Sequence, residues 1–378
     1  MSKIMEKPFE YLKRRENGEK YEDEIVKNWY IARSFILDKL KDVAFKPDSN
    51  DHLHVVVTED SPLMLCVVRQ IALSAHYINF NEEAEDESTR NRTVITLVSK
   101  NPGIKKELEK EEYLCNLPKY CKYSEDLSKI ENADSFIDVE IHVTSKISEF
   151  ETTNNKLVIN KESVEDFYKQ QMAEGVDIFS IDTRKAVYAN RIYSLGDVID
   201  NLPAEDIHSA SRYSLALNVF QYNRLKEVPK PLIEEHLWED QNKVKEALSN
   251  IFCSDCFESR YQSIKLCSNG DKKRERHIWE ENNEALSESE HARWVVEKLI
   301  MGYSPLNVQQ RFKDESLFYN TKKKALYRKI LKKNDCIPAH IDLCSYRDLR
   351  RINPNDLKYD SFLMLAIPKI LEKIKGDE

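Results

Sequence analysis

Apolar positions along the chain follow two regimes. In the first half, short continuous apolar runs alternate with helical stripes; in the second half the stripes alone remain. Before residue 45 the chain is mostly polar, and Trp29, Ile31, Phe35, Ile36 and Leu40 have a spacing that predicts one helix stripe. The run His54-Val55-Val56-Val57-Thr58 predicts a strand, because a strand covered on both faces has no polar alternation. Residues 63–75 then carry helical periodicity and complete a β-α unit. Further strands are predicted at 93–98 and 136–143, with weaker signals at 156–159 and 176–181. The acidic stretch 81–87 predicts a mobile loop.

Strands alternating with helices predict an α/β domain with an open, mostly parallel sheet. After about residue 205 the strand signals fade, and helices are predicted at 210–225, 231–250, 281–301, 322–332 and 362–374. The expected organisation is a helical extension over 1–45, an α/β domain over 46–204 and a mainly α-helical domain over 205–378. A chain of 378 residues accommodates such a division, at ~100–200 residues per domain.

Charge narrows the partners. The 58 basic and 66 acidic residues leave a net charge of −8, which argues against sequence-independent binding to nucleic-acid phosphates. No segment reaches the ~20 apolar residues of a membrane span, and the N-terminus lacks the apolar centre of a signal peptide. The expectation is a soluble cytoplasmic protein with reduced thiols, its eight cysteines being scattered through a long chain.

Only seven glycines occur, so glycine-rich phosphate loops are nearly excluded. A dinucleotide-binding sheet turns from its first strand into its helix through Gly-x-Gly-x-x-Gly, which lets the backbone approach the pyrophosphate. In "VVVTEDSPLMLCVVRQIA", residues 55–72, those three positions hold Glu59, Ser61 and Met64. A carboxylate, an added Cβ and a bulky thioether stand where the cofactor needs space. NAD is therefore not expected as a cofactor, and the sheet reads as a degenerate Rossmann-like scaffold.

The densest constellation is "LSESEHARWVVEKLIMGYSP", residues 286–305. At 3.6 residues per turn, His291 and Trp294 share one helix face, while Glu290, Arg293 and Glu297 share an adjoining one. Through Glu290, His291, Arg293, Trp294, Glu297, Gly302 and Tyr303 this segment resembles the central helix of the ryanodine-receptor (RyR) domain. "AHIDLCSYRDL", residues 339–349, is similar to a second segment of that family through His340, Asp342, Leu343, Tyr346 and Leu349. "KYDSFLMLAIPKIL", residues 358–371, resembles its closing helix through Asp360 and Ile367-Pro368. Upstream, "SDCFESRYQSIKL" resembles a pattern of bacterial proteins that join a Trk-type Rossmann domain to an RyR domain, in Ser254, Ser259, Lys265 and Leu266; a basic position of that pattern falls on Cys256.

The resemblance implies a ligand-sensing or regulatory module. Bacterial RyR domains have been proposed to sense nucleotide-derived signals, and their gene neighbours suggest antiviral signalling. The ligand-binding set expected here is His291, Arg293, Trp294, Glu297, Tyr303, His340, Asp342 and Tyr346. Its aromatic rings offer faces to a base, Arg293 a bidentate donor to phosphate or carboxylate, and the histidines further donors. The expected partner is an ADP-ribose-like or cyclic nucleotide, with a second copy of the chain or an effector protein beside it. Each residue also has a structural reading: Trp294 as core, Arg293 as an ion-pair partner of Glu290 or Glu297, and the histidines as internal hydrogen-bonders.

Two other functions stand beside this one. A structural interaction module would use the same residues for packing, and a nucleotide-cleaving enzyme would use a carboxylate such as Glu297. No nucleophile elbow, zinc-protease motif, deaminase motif or lysine phosphate loop occurs. Asp206, His208 and Ser209 are too close in sequence to build a triad. Cys253, Cys256, Cys267 and His277 have no standard zinc spacing, so no metal is expected.

Overall fold

The computed structural model describes residues 23–86, 89–124, 136–146, 156–179, 244–305, 339–340, 342–352 and 357–376. The helices expected at 210–225 and 322–332, and the division expected near 205, lie outside these residues.

Helix α1, Glu24–Leu40, starts where the Asp23 carboxylate accepts the Ile25 and Val26 amides at 3.0 and 3.3 Å. It buries the stripe Trp29, Ile31, Phe35, Ile36 and Leu40 and packs against the helices Pro62–Ser74 and Lys161–Ala173. Strand β1 is His54–Val57, and all four of its residues are buried. Helix α2, Pro62–Ser74, opens with a proline whose missing N–H costs nothing at that position. Every residue from Leu63 to Ser74 is buried, as in a helix enclosed on all sides.

Strand β2 is Thr93–Val98; a short helix α3, Ile104–Leu108, leads to β3, Lys122–Ser124, and then to β4, Val139–Thr144. Strand β5, Lys156–Ile159, leads into α4, Lys161–Ala173. The five strands form one parallel sheet in the order β3-β4-β2-β1-β5, with Val55 paired to Ile95 on one side and Leu157 on the other. The expected parallel α/β sheet is present, with differences at its margins. β4 begins at Val139 rather than 136, because Asp138 is a buried partner of His76. Residues 176–179 make no strand: Gly175, at φ 73°, ends α4, and the Val176 amide turns back to the Gln171 carbonyl.

The acidic stretch 81–86 is a largely exposed loop, with one buried exception. Glu82 is only 8% exposed and holds backbone amides of the helical region.

That region contains α5, Val244–Asp255; α6, Phe257–Ser268; α7, Lys272–Glu281; α8, Asn283–Ile300; α9, Tyr346–Ile352; and α10, Leu357–Gly376. A two-stranded parallel pair, β6 (Ser304–Pro305) with β7 (Ala339–His340), interrupts it. Helix α8 enters both cores. Its second half, Val295 to Ile300, lies in the core of the sheet together with Leu248, Ile251 and Phe252 of α5. Its first half packs through Leu286 with Phe257, Ile278, Trp279 and the α10 residues Leu363, Met364 and Ile367. The Trp279 indole N–H donates to the Met364 carbonyl at 2.6 Å. Arg33 of α1 adds a forked ion pair to Asp255 of α5. Among the described residues no helix is long and apolar enough to cross a membrane.

Candidate functional site

The helix α8 ends in a left-handed glycine. Gly302 has φ 86°, the Tyr303 amide reaches back to the Lys298 carbonyl at 2.9 Å, and the Gly302 amide to that of Leu299 at 3.0 Å. This is the hydrogen-bond pattern of a Schellman cap, and it explains the Gly-Tyr pair physically. The Asn116 side-chain amide then donates to the Gly302 and Tyr303 carbonyls at 2.8 and 3.0 Å. Tyr303 is buried in the sheet core.

On one face of α8, Glu290, Arg293 and Glu297 are at most 1% exposed. Each nitrogen of Arg293 is engaged: Nε lies 2.9 and 3.0 Å from the two Glu290 oxygens, Nη2 2.8 Å from Glu290 and Nη1 2.7 Å from Glu297. Arg260 of α6 places Nη1 2.8 Å from Glu290 Oε2. Lys298 donates to Glu297 at 2.7 Å, and Ser249 of α5 at 3.0 Å. Burial alone would raise the Glu290 carboxyl, but Arg293 and Arg260 outweigh it and hold it at about 2. Burial likewise opposes ionisation of Glu297, and Lys298 and Arg293 overcome it, lowering its pKa. The face anchors an ionic strut of five charged residues on α8 and α6, to which Ser249 ties α5. Arg260 went unnoticed in the sequence; it stands one helical turn beyond the buried Cys256, where the basic position had been sought.

The adjoining face is made of rings. His291 and Trp294 stack at 5.9 Å between centroids, Trp294 meets His340 of β7 edge-on at 5.0 Å, and Tyr346 of α9 lies 5.8 Å from His291. His291 Nε2 is 2.8 Å from the Cys344 carbonyl, and Nδ1 is 4.0 Å from Asp360 of α10. Burial pushes the His291 imidazole down to about 4, against the Cys344 carbonyl and Glu290. At neutral pH it is therefore uncharged, with its proton on Nε2. The Asp342 amide donates to His340 Nδ1 at 3.1 Å, which leaves Nε2 as that ring's N–H. Trp294 is half-buried, and Lys298 Nζ stands 5.7 Å from its ring.

Of the eight expected ligand residues, five converge here: His291, Trp294, His340, Asp342 and Tyr346. Arg293 and Glu297 face the strut, and Tyr303 faces the sheet. A separate cavity of about 250 Å³ lies between α7 and α10, lined in part by Tyr261, Trp279, Leu365 and Pro368, and contains none of the eight.

In the sheet, β1 lies between β2, to which the chain runs next, and β5, which it reaches only after β4; in open parallel sheets ligands sit outside the carboxyl ends of the strands. Here Glu59 accepts the Lys161 amide at the start of α4 at 3.2 Å, and Asp60 accepts the Ser99 hydroxyl. Met64 is fully buried in α2. Cys253 and Cys256 are buried, whereas His277 is exposed beside Glu281. Among the described residues no group of three or more His, Cys, Asp or Glu is arranged to hold a metal ion.

No family model, curated protein or solved structure matches the chain.

Proposed function

We propose that the protein is a regulatory module in which an RyR-type helical region senses a small nucleotide-derived signal. A degenerate Rossmann-like sheet serves as its scaffold. The ring face of α8 is the contact surface, and the ionic strut behind it fixes the geometry of that surface. One observation carries this reading: α8, β7 and α9 each deliver a ring to a single cluster in which Trp294 is only partly buried. The face suits stacking of a base with imidazole and indole N–H donors beside it. The sheet is not assigned a dinucleotide, because Glu59 and Asp60 set two carboxylates at the strand ends where a pyrophosphate would need donors.

Thermal melting against NAD, ADP-ribose, cyclic ADP-ribose and cyclic oligonucleotides tests the proposal, since a ligand that binds only the folded state raises the melting temperature. A selective rise that Trp294→Ala removes is expected; no rise with any of them refutes sensing of this class. A second reading, a protein-interaction module, is favoured by the burial of Arg293, the residue best suited to an anionic ligand. Under that reading the nucleotides do nothing, while Trp294→Ala weakens association with a partner protein.

A further inference from the structure

We propose that Glu82 and Glu288 form a proton-controlled latch that fastens α9, and with it Tyr346 of the ring face, to the sheet side of the molecule. The Glu82 carboxylate accepts the Tyr346 amide through Oε2 and the Arg347 amide through Oε1, both at 2.8 Å, across 264 and 265 residues of sequence. The Glu82 amide in turn donates to Glu288 Oε1 of α8 at 3.1 Å. One buried glutamate thus joins the segment after α2, the middle of α8 and the first turn of α9.

The surroundings favour negative charge poorly. Glu83 lies on the same segment, Asp138 stands at the head of β4 beside His76, and Asp348 is on α9. Two cations of α9 face these acids, Arg347 at 3.9 Å from Glu83 and Arg351 at 3.9 Å from Asp348. Burial pushes the Glu288 carboxyl up to about 7; Glu82, Glu83 and Asp138 reinforce this against the stabilising Glu82 amide. Burial also raises Glu82, against its two amide bonds.

Below pH 7 Glu288 is neutral and accepts the Glu82 amide without repelling the Glu82 carboxylate. Above pH 7 two negative charges face each other with little water to screen them. The repulsion is relieved by parting the segment from α8 or by lifting Glu82 off α9. Either movement frees the Tyr346 and Arg347 amides. The latch stands on these contacts alone and does not depend on what the ring face binds.

Hydrogen exchange of the Tyr346 and Arg347 amides in the full chain, corrected for intrinsic rates, reads the latch directly. Protection is expected to fall about tenfold from pH 6 to pH 8, the factor carried by one pKa unit of coupling. Glu288→Gln, permanently neutral, is expected to hold protection within about twofold over the same interval. Constant protection in the wild type, or the same fall in Glu288→Gln, overturns the proposal. Should the variant fail to fold, carboxyl-carbon NMR of the wild-type chain decides: a Glu288 midpoint near 7 supports the latch, and one near the ordinary 4.5 overturns it.

Discussion

On one face of α8, Glu290, Arg293 and Glu297 are sealed from water and bound to one another, to Arg260 and to Lys298. On the adjoining face His291 and Trp294 meet His340 and Tyr346 through their rings, and Trp294 retains an approach from solvent. The difference follows from desolvation. A charge taken out of water must be paired on every side, so buried charges become fixed structure. A ring loses little when one of its faces is uncovered, so it is free to exchange a neighbour for a ligand. The charged residues whose chemistry best suits an anionic ligand are therefore the ones least able to bind it.

Arg293→Met attacks the comparison hardest. It strands Glu290 and Glu297 in the interior and is expected to cost about 3–5 kcal/mol in urea denaturation. A variant with near wild-type stability would place Arg293 outside any strut. The pH dependence of stability comes next. His291 is held neutral by burial, with its folded pKa below its unfolded value, so the unfolded chain binds the extra proton between about 4 and 6.5. Stability contributed by His291 is present above 6.5 and is lost as pH falls toward 4, at up to ~1.4 kcal/mol per pH unit. Glu288 acts with the opposite sign in that window, so the informative quantity is the difference between wild type and His291→Gln. A difference that does not change with pH would mean that His291 is solvated.

Gly302→Ala forces a Cβ into the left-handed region at the end of α8 and is expected to cost about 1–2 kcal/mol. The built Cβ lies 3.4 Å from Cys115 Sγ, so backbone strain rather than collision sets that cost. Trp294→Phe has the smallest effect on folding, below ~1.5 kcal/mol, because the ring site stays filled. Ligand quenching of indole emission should nevertheless be lost. A large loss of stability in Trp294→Phe would instead make the ring face core.

Much of the sheet was legible because its central strands are continuous apolar runs and α2 is apolar through its first two turns, Leu63 to Val68. The ends of α8 were legible as well, since Gly302 is a local signal for a local conformation. Strand β3 has three residues and β6 and β7 two each, too few to show a period. Helix α4 gives a weak signal because its apolar face is narrow, with Val164, Phe167 and Tyr168 set among charged residues and only Val164 fully buried. Glu82 was misread for a different reason: inside an acidic run it looks solvated, and the amides it holds lie more than 260 residues away. The site was legible as a list of residues but not as a division of labour. Spacing put two groups on adjoining faces of α8, and only the placement of Arg260, β7 and α9 decided which group was enclosed.

The most direct test is a crystal structure of the full chain soaked in a mixed nucleotide library. The account predicts ligand density against Trp294 and His340, with the Arg260–Glu290–Arg293–Glu297 contacts unchanged. Density on the Arg293 guanidinium or at the ends of β1 and β5, or none against Trp294, would contradict it.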